Sequence, residues 1–189
     1  MSDTLRMARI LTASLTAPPV ELFDSVTLRF RALPSDCDAN LHINNGRYLQ
    51  LMDLGRFALV ARLGLGRAML KRKWGAVVGA AEMEFLKEIR LFSAFELTTR
   101  IVGWDEKWVY MEQRFMRGAE LAAVGRVQGV FRANNRTVRT AEVLAELGPW
   151  GVAQPQLPPA FERLATPSPL RKRIWSLSED DLPGLGWAA

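Results

Sequence analysis

The chain is poor in the two residue types that build metal centres and thiol chemistry. It has one cysteine, Cys37, and one histidine, His42, among 189 residues. A single cysteine excludes an internal disulfide and any multi-cysteine metal site, and a single histidine excludes a His-rich one. No metal site is therefore expected. No apolar run approaches the roughly 18–20 residues that a membrane-spanning helix needs, so no membrane span is expected. Long basic runs are missing too, the densest being Lys71–Lys73 and Arg171–Arg173. The net charge of +5 suits a phosphate-bearing small molecule, but without a basic stripe no nucleic acid is expected as a partner. No internal repeat is visible.

What is present is a sizeable apolar fraction, 49% of residues, enough for one globular domain with its own core. With no disulfide chemistry, a cytoplasmic location is the expectation. The first 22 residues, with Arg6 and Arg9 ahead of a Ser/Thr-diluted apolar stretch, read as a mobile or docked leader, with a signal peptide as the alternative. Residues 23–148 read as the domain. Residues 149–189 hold seven of the ten prolines and three of the six tryptophans. That composition breaks regular structure yet is too aromatic for a plain linker, so it reads as a tail that wraps the domain or a partner subunit.

Hydrophobic periodicity orders the domain. FDSVTLRFRAL alternates Val26, Leu28, Phe30 and Ala32 against polar residues, as a half-buried strand does. An Asp/Asn-rich loop follows. NGRYLQLMDLGRFALVARL, from Asn45 to Leu63, has no proline and is rich in good helix formers. Asn44 or Asn45 caps it, and Gly64 and Gly66 stop it. Its apolar residues occupy more than one stripe, which calls for burial on most sides. Four strand-like segments follow: AVVGAAEMEFLKEI, AFELTTRIVGW, KWVYMEQRFMR and LAAVGRVQGVFRA, with Gly118–Glu120 as a hairpin turn. Gly125 and Gly129 share a strand face, so a helix can lie close to it. TVRTAEVLAELG reads as a short closing helix. The order predicts an α+β fold, a long central helix wrapped by a five-stranded antiparallel sheet.

SDCDANLHINNGRY, between the first strand and this helix, packs Asp36, Asp38, Asn40, His42, Asn44 and Asn45 into ten positions. Short polar side chains there can form Asx-turns and a helix cap. They can also form an active site on a helix N-terminus. Backbone N–H groups there, near Asn45 and Gly46, polarise a carbonyl without any special side chain. A histidine, with a reference pKa near 6.5, suits proton transfer at neutral pH. Cys37 is a poor nucleophile, because the flanking carboxylates raise a thiol's pKa. Asp53 and Arg56 read as a helical ion pair.

The run DANLHINNGRY resembles the D-x-N-x-H-x-N-N-x-x-Y signature of plant acyl-carrier-protein thioesterases, with six identities in eleven positions. FELTTRIVGWDEKWVYMEQRF resembles the thioesterase-superfamily-member-six-like group of hotdog proteins. Together these resemblances cover about residues 23–140. They imply the hotdog fold, the same helix-in-sheet arrangement reached from periodicity. They further imply a homodimer or homotetramer with the active site at the subunit interface. The implied activity is hydrolysis of an acyl thioester of coenzyme A or acyl-carrier protein, in the manner of 4-hydroxybenzoyl-CoA thioesterase-like enzymes. No cofactor is implied beyond the coenzyme A carried by the substrate.

The resemblance assigns roles residue by residue. Asp38 matches the acidic position that acts as nucleophile or general base, and Asp38, Asn40 and His42 act together. A downstream glutamate in the plant pattern E-Y-R-R-E-C aligns with Glu88 in EFLKEI, where Leu86 and Ile89 depart from the pattern. Glu84, on the same strand face by alternation, is the substitute. Asn45, Gly46, Tyr48 and Glu84 are the substrate-side expectations. Arg132 and Arg136 are candidates to meet the phosphates of coenzyme A. Short bacterial relatives often carry glycine immediately before the histidine, and this chain has Leu41 there. A hotdog protein that binds acyl thioesters without turnover, or a hydratase or dehydratase on the same fold, are the alternatives.

Overall fold

A computed structural model describes residues 3–134, 136–148 and 154–166. The first residues form helix α1 (Asp3–Thr16). Strand β1 (Val26–Arg31) follows, then the polar loop, then the long helix α2 (Asn45–Arg62). Asn44 caps α2, its side chain accepting from the Gly46 N–H. Gly64 ends the helix at φ +78°, a conformation that suits glycine. Gly66 does not stop anything. It lies inside a short helix, α3 (Leu65–Arg72), that the sequence pattern did not reveal.

Strands β2 (Trp74–Phe85), β3 (Ala94–Trp104), β4 (Val109–Arg117) and β5 (Glu120–Ala133) complete the five long strands. The sheet is antiparallel throughout, in the order β1-β3-β4-β5-β2. The β4–β5 hairpin pairs Arg117 with Glu120 across a two-residue loop, where Gly118 takes the positive φ that such loops require. A sixth strand, β6 (Arg136–Val138), pairs with the end of β5. The segment read as one closing helix is thus a strand and then a six-residue helix, α4 (Thr140–Ala145). Asn134 at φ +52° lets the chain turn back at that point.

The sheet curls around α2. Tyr48, Leu51, Met52, Leu97, Phe115 and Val127 are among the residues that form the main core between them. Gly125 of β5 makes room for Met52, whose Cε would lie 2.4 Å from an added Cβ. Met7 and Ile10 of α1 pack against the same core, so the leader is docked. On the outer face, Phe161 and Leu164 are buried against Tyr110. Leu164 lies in the one-turn helix α5 (Glu162–Ala165). The described part of the tail therefore wraps its own sheet, while 149–153 and 167–189, with the basic run at Arg171–Arg173, lie outside the described residues. Among the described residues no helix is long and apolar enough to cross a membrane.

Strand β2 is a sheet edge, with Val77 and Val78 49% and 42% exposed. On α2, Leu49, Asp53 and Phe57 follow one another at four-residue spacing as an exposed ridge.

Candidate active site

The polar loop is built by backbone hydrogen bonds that draw it into a tight hairpin. The Asp38 carbonyl accepts from the Leu41 N–H at 3.1 Å, and the Asp38 N–H donates to the His42 carbonyl at 3.1 Å. Closing this turn places Leu41 at φ +59°, with its side chain 61% exposed. The glycine of short bacterial relatives is suited to this conformation. Cys37 then bridges Ile43, and His42 bridges Arg90. The loop is thus a small ribbon clamped between β1 and the segment after β2.

The hairpin brings Asp38 and His42 together. Asp38 Oδ1 lies 3.8 Å from His42 Nδ1, both side chains being roughly a quarter exposed. The same Oδ1 accepts from the Asn40 N–H at 2.9 Å, so Asp38 forms the Asx-turn and faces the histidine as well. Asn40 is exposed at the tip. Burial and the adjacent charges of Asp36 and Asp38 push the Cys37 thiol up, which keeps it protonated and a poor nucleophile.

At the start of α2, the Gly46 N–H is taken by Asn44 Oδ1 at 2.9 Å and the Arg47 N–H by the Asn44 carbonyl at 2.8 Å. Among the described residues nothing accepts from the Asn45 N–H. Of the two donors expected there, Asn45 is the one left to polarise a carbonyl.

Asp36 anchors the loop. It is 1% exposed and accepts from both Nη atoms of Arg6 at 3.0 Å, from Arg47 Nε at 2.8 Å and from the Leu33 N–H at 2.9 Å. Its carbonyl takes the Asn44 N–H at 2.9 Å. Burial pushes the Asp36 carboxyl up, but these donors outweigh it and hold the group below its ordinary value. Sequence reasoning gave Asp36 only a turn and missed Arg6, because thirty positions separate the two.

The remaining candidates are spread more widely. Tyr48 is 3% exposed and stands edge-on to Phe85 and Phe115. Burial pushes its hydroxyl up to about 12. Strand β2 ends at Phe85, so Glu88 is a loop residue and does not share a strand face with Glu84. Continuing the His42–Arg90 pairing by two residues sets Glu88 across from Asn44. Its carboxylate meets Arg90 Nε at 2.6 Å. Glu84 pairs with Arg126 of β5 at 2.6 Å. Arg132 and Arg136 lie at the far end of β5 from the loop, roughly 30 Å along the strand, and Arg136 makes a bidentate pair with Glu142 at 3.0 Å.

Further down α2 is an apolar pocket of about 100 Å³. It runs from Asp53, Arg56 and Phe57 to the α4 residues Thr140, Val143 and Leu144. Arg56 is ion-paired with Asp53, as the sequence suggested, and its Nη1 donates to Gln113 Oε1 at 2.8 Å. Gln113 Nε2 in turn donates to the Met52 carbonyl and to Thr99 Oγ1, both at 2.9 Å. Burial lowers the Arg56 pKa and Asp53 opposes that. This network lies under the helix, and its members come from three elements distant in sequence. Among the described residues no group of His, Cys, Asp and Glu is placed to hold a metal ion.

Comparison with known proteins bears on what such a site does. Residues 32–163 match the family model described as the thioesterase-like superfamily. Protein THEM6 of Danio rerio is 46% identical over 86 residues, covering 46% of this chain and 43% of that protein. A probable thioesterase of Saccharomyces cerevisiae is 29% identical over 130 residues, covering 67% of this chain and 56% of that protein. The chain spans about half the length of the curated relatives it matches. Among solved structures, 4-hydroxybenzoyl CoA thioesterase from Pseudomonas sp. strain CBS-3 superposes with a TM-score of 0.59 at 18% identity, over 65% of this chain and 98% of that one. A probable thioesterase from Bartonella henselae gives 0.57 at 20% identity, over 61% of this chain and 98% of that one. These likenesses establish the fold as that of the hotdog thioesterases, and the family match decides the affiliation: the chain belongs to the thioesterase-like superfamily.

Proposed function

We propose that the protein hydrolyses an acyl thioester, of coenzyme A or of an acyl-carrier protein, to free acid and thiol. The observation that carries this is the placement of Asp38 and His42, 3.8 Å apart, beside an α2 N-terminus whose Asn45 N–H has no partner among the described residues. The thioester carbonyl accepts from that N–H, so the negative charge of the tetrahedral intermediate forms against the positive end of the helix. Asp38 takes a proton from the attacking water, or attacks the carbonyl carbon itself and forms a mixed anhydride that water then cleaves to the free acid, restoring the carboxylate. The intermediate collapses with loss of the C–S bond, and His42 passes a proton to the departing thiolate.

The working form in this proposal is a homodimer. In one chain the loop and the apolar pocket are separated: Asn45 and Phe57 are twelve residues apart on α2, roughly 18 Å. Pairing two β2 edges antiparallel buries Val77 and Val78 and turns the pocket end of one subunit toward the loop end of the other. The acyl group then enters the pocket of the partner subunit. The same two-fold carries the far end of β5, with Arg132, toward the loop of the other chain. The phosphates of a coenzyme A substrate are placed there.

Thiol release from a panel of short, long and aromatic acyl-CoAs tests this, with Asp38→Asn and His42→Ala beside the wild type. The expected result is turnover that falls about 10²–10⁴-fold in each folded variant. Unchanged turnover in both variants would remove the loop from the mechanism. Thermal stabilisation by acyl-CoA with no thiol release would leave a binding protein in its place.

A further inference from the structure

From Leu54 to Ala81 the chain carries no acidic residue and six basic ones, Arg56, Arg62, Arg67, Lys71, Arg72 and Lys73. Four of the six fall on helix α3 and its C-terminal cap. The inner face of α3 is apolar and fixed: Leu65 and Ala68 are buried, and Leu65 and Met69 line the apolar pocket. The outer face carries Arg67, Leu70 and Lys71, at the i, i+3, i+4 spacing that sets side chains next to one another. Leu70 is 83% exposed, the highest value of any large apolar side chain among the described residues. Lys73, at φ +55°, turns the chain out of the helix beside them. Arg72 pairs with Glu146 and lies over the Trp74 ring. Arg67, Lys71 and Lys73 are exposed and meet no carboxylate among the described residues. A lone exposed leucine is ordinary. This one stands among three unpaired cations, on the outer side of a helix that walls the pocket.

We propose that the outer face of α3 is the docking surface for an acidic acyl-carrier protein, which brings the thioester to the pocket behind the helix. The proposal rests on the thioesterase reading and decides between its two thiol carriers. Coenzyme A offers phosphates to the cations but nothing for an exposed leucine to pack on. An acidic protein helix offers both carboxylates and an apolar side chain. Complementary charge steers the encounter and fixes its register, and burial of Leu70 at the centre of the contact supplies affinity. The packed inner face keeps α3 rigid, so little ordering is needed on docking. A carrier seated there lies one helix diameter, about 10 Å, from the acyl pocket. A second copy of this chain is a poor occupant, because across a two-fold axis α3 would meet its own cations.

The test measures kcat/KM on octanoyl-acyl-carrier protein and on octanoyl-CoA for the full chain, Leu70→Ser and the double variant Lys71→Ala, Lys73→Ala. Thermal unfolding and gel filtration are run on each protein. The changes touch exposed side chains alone, so Tm is expected to stay within about 2 °C of wild type. Each variant is expected to lose about tenfold on the carrier-protein substrate and to keep its rate on octanoyl-CoA. An equal loss on both substrates assigns the face to the phosphates of coenzyme A and overturns the proposal. So does a loss on neither, or wild-type turnover of octanoyl-CoA alone. A changed oligomeric state in Leu70→Ser overturns it in favour of a second copy. Leucine-dependent sedimentation with phosphatidylserine vesicles, with the carrier reaction unaffected, overturns it in favour of a lipid surface. Absence of hydrolysis on both thioesters refutes the enzymatic reading alone. Docking is then read from the fluorescence anisotropy of labelled octanoyl-acyl-carrier protein: binding that weakens about tenfold in Leu70→Ser sustains the proposal, and binding that is absent or unchanged overturns it.

Discussion

Arg6 and Asp36 form a bidentate pair, both hydrogen bonds 3.0 Å long, with side chains 5% and 0% exposed. It ties helix α1, which lies outside the region matched by the family model, to the loop that carries Asp38. Arg6→Ala removes one partner of a buried charge pair and leaves Arg47 as the remaining cation. The expected loss is about 3 kcal/mol, the low end for such a deletion, read as a lowered urea midpoint. The rate of alkylation of Cys37, in the middle of the loop, should rise in the same variant at concentrations of urea that leave the fold intact. An unchanged rate would show that α1 does not hold the loop.

Acid should weaken the protein through the same group. The Asp36 carboxyl is held below its ordinary value of 3.8. A depressed carboxylate contributes stability that is complete above the unfolded pKa and is lost as pH falls through the folded one. Urea midpoints of the wild type should hold steady above about pH 5 and fall below about pH 4. Asp36→Asn should be less stable at neutral pH and show a shallower fall in that acid window. Parallel curves for the two proteins would assign the acid sensitivity to other carboxylates.

Leu41 holds φ +59° with its side chain mostly in water. The left-handed conformation costs an L-residue roughly 1–2 kcal/mol, while glycine costs the folded state about 0.4–1 kcal/mol through its freer unfolded chain. Leu41→Gly is therefore expected to stabilise the protein by about 0.5–1 kcal/mol, with activity retained. A loss of stability would mean that the exposed leucine is covered in the assembled protein.

Gly55→Ala reverses the usual helix rule. Alanine in place of a helical glycine normally gains about 1 kcal/mol. Here an added Cβ would lie 2.4 Å from Thr99 Oγ1 and 2.8 Å from Gln113 Nε2. Those atoms are hydrogen-bonded to each other, so they cannot yield without breaking the network beneath α2. Overpacking costs about 1–3 kcal/mol, and calorimetry should show a net loss.

The Asn45 N–H can be deleted without disturbing the helix. Asn45 is the first residue of α2, where proline is well tolerated, and Asn44 already has φ −61° and ψ 138°, as a residue before proline needs. Asn45→Pro should leave the circular dichroism and Tm close to wild type while thioester turnover falls about 10²–10³-fold, as on removal of one oxyanion donor. Full activity in the proline variant would place the donor elsewhere.

The architecture was legible because its signals are local. Alternation in FDSVTLRFRAL, helix formers from Asn45 to Leu63, and a glycine at the β4–β5 turn each depend on residues a few positions apart. What was missed had weaker local signals. Helix α3 begins at once after Gly64 and contains a glycine, and β6 is only three residues long. Glu84 and Glu88 looked like neighbours on one strand because periodicity does not say where a strand ends.

The sequence by itself determined the helix-in-sheet fold, the Asp38–Asn40–His42 cluster and its place at the start of a helix, since all of these follow from spacing within short stretches. Tertiary structure decided which of those groups remain available. It consumed the Gly46 N–H in a cap and left that of Asn45 without an acceptor among the described residues. It drew Arg6 across thirty positions to neutralise Asp36, and it closed an apolar pocket between α2 and α4. Burial and hydrogen-bond partnership are properties of groups that meet in space, and no period in the chain encodes which distant side chain will satisfy a given atom.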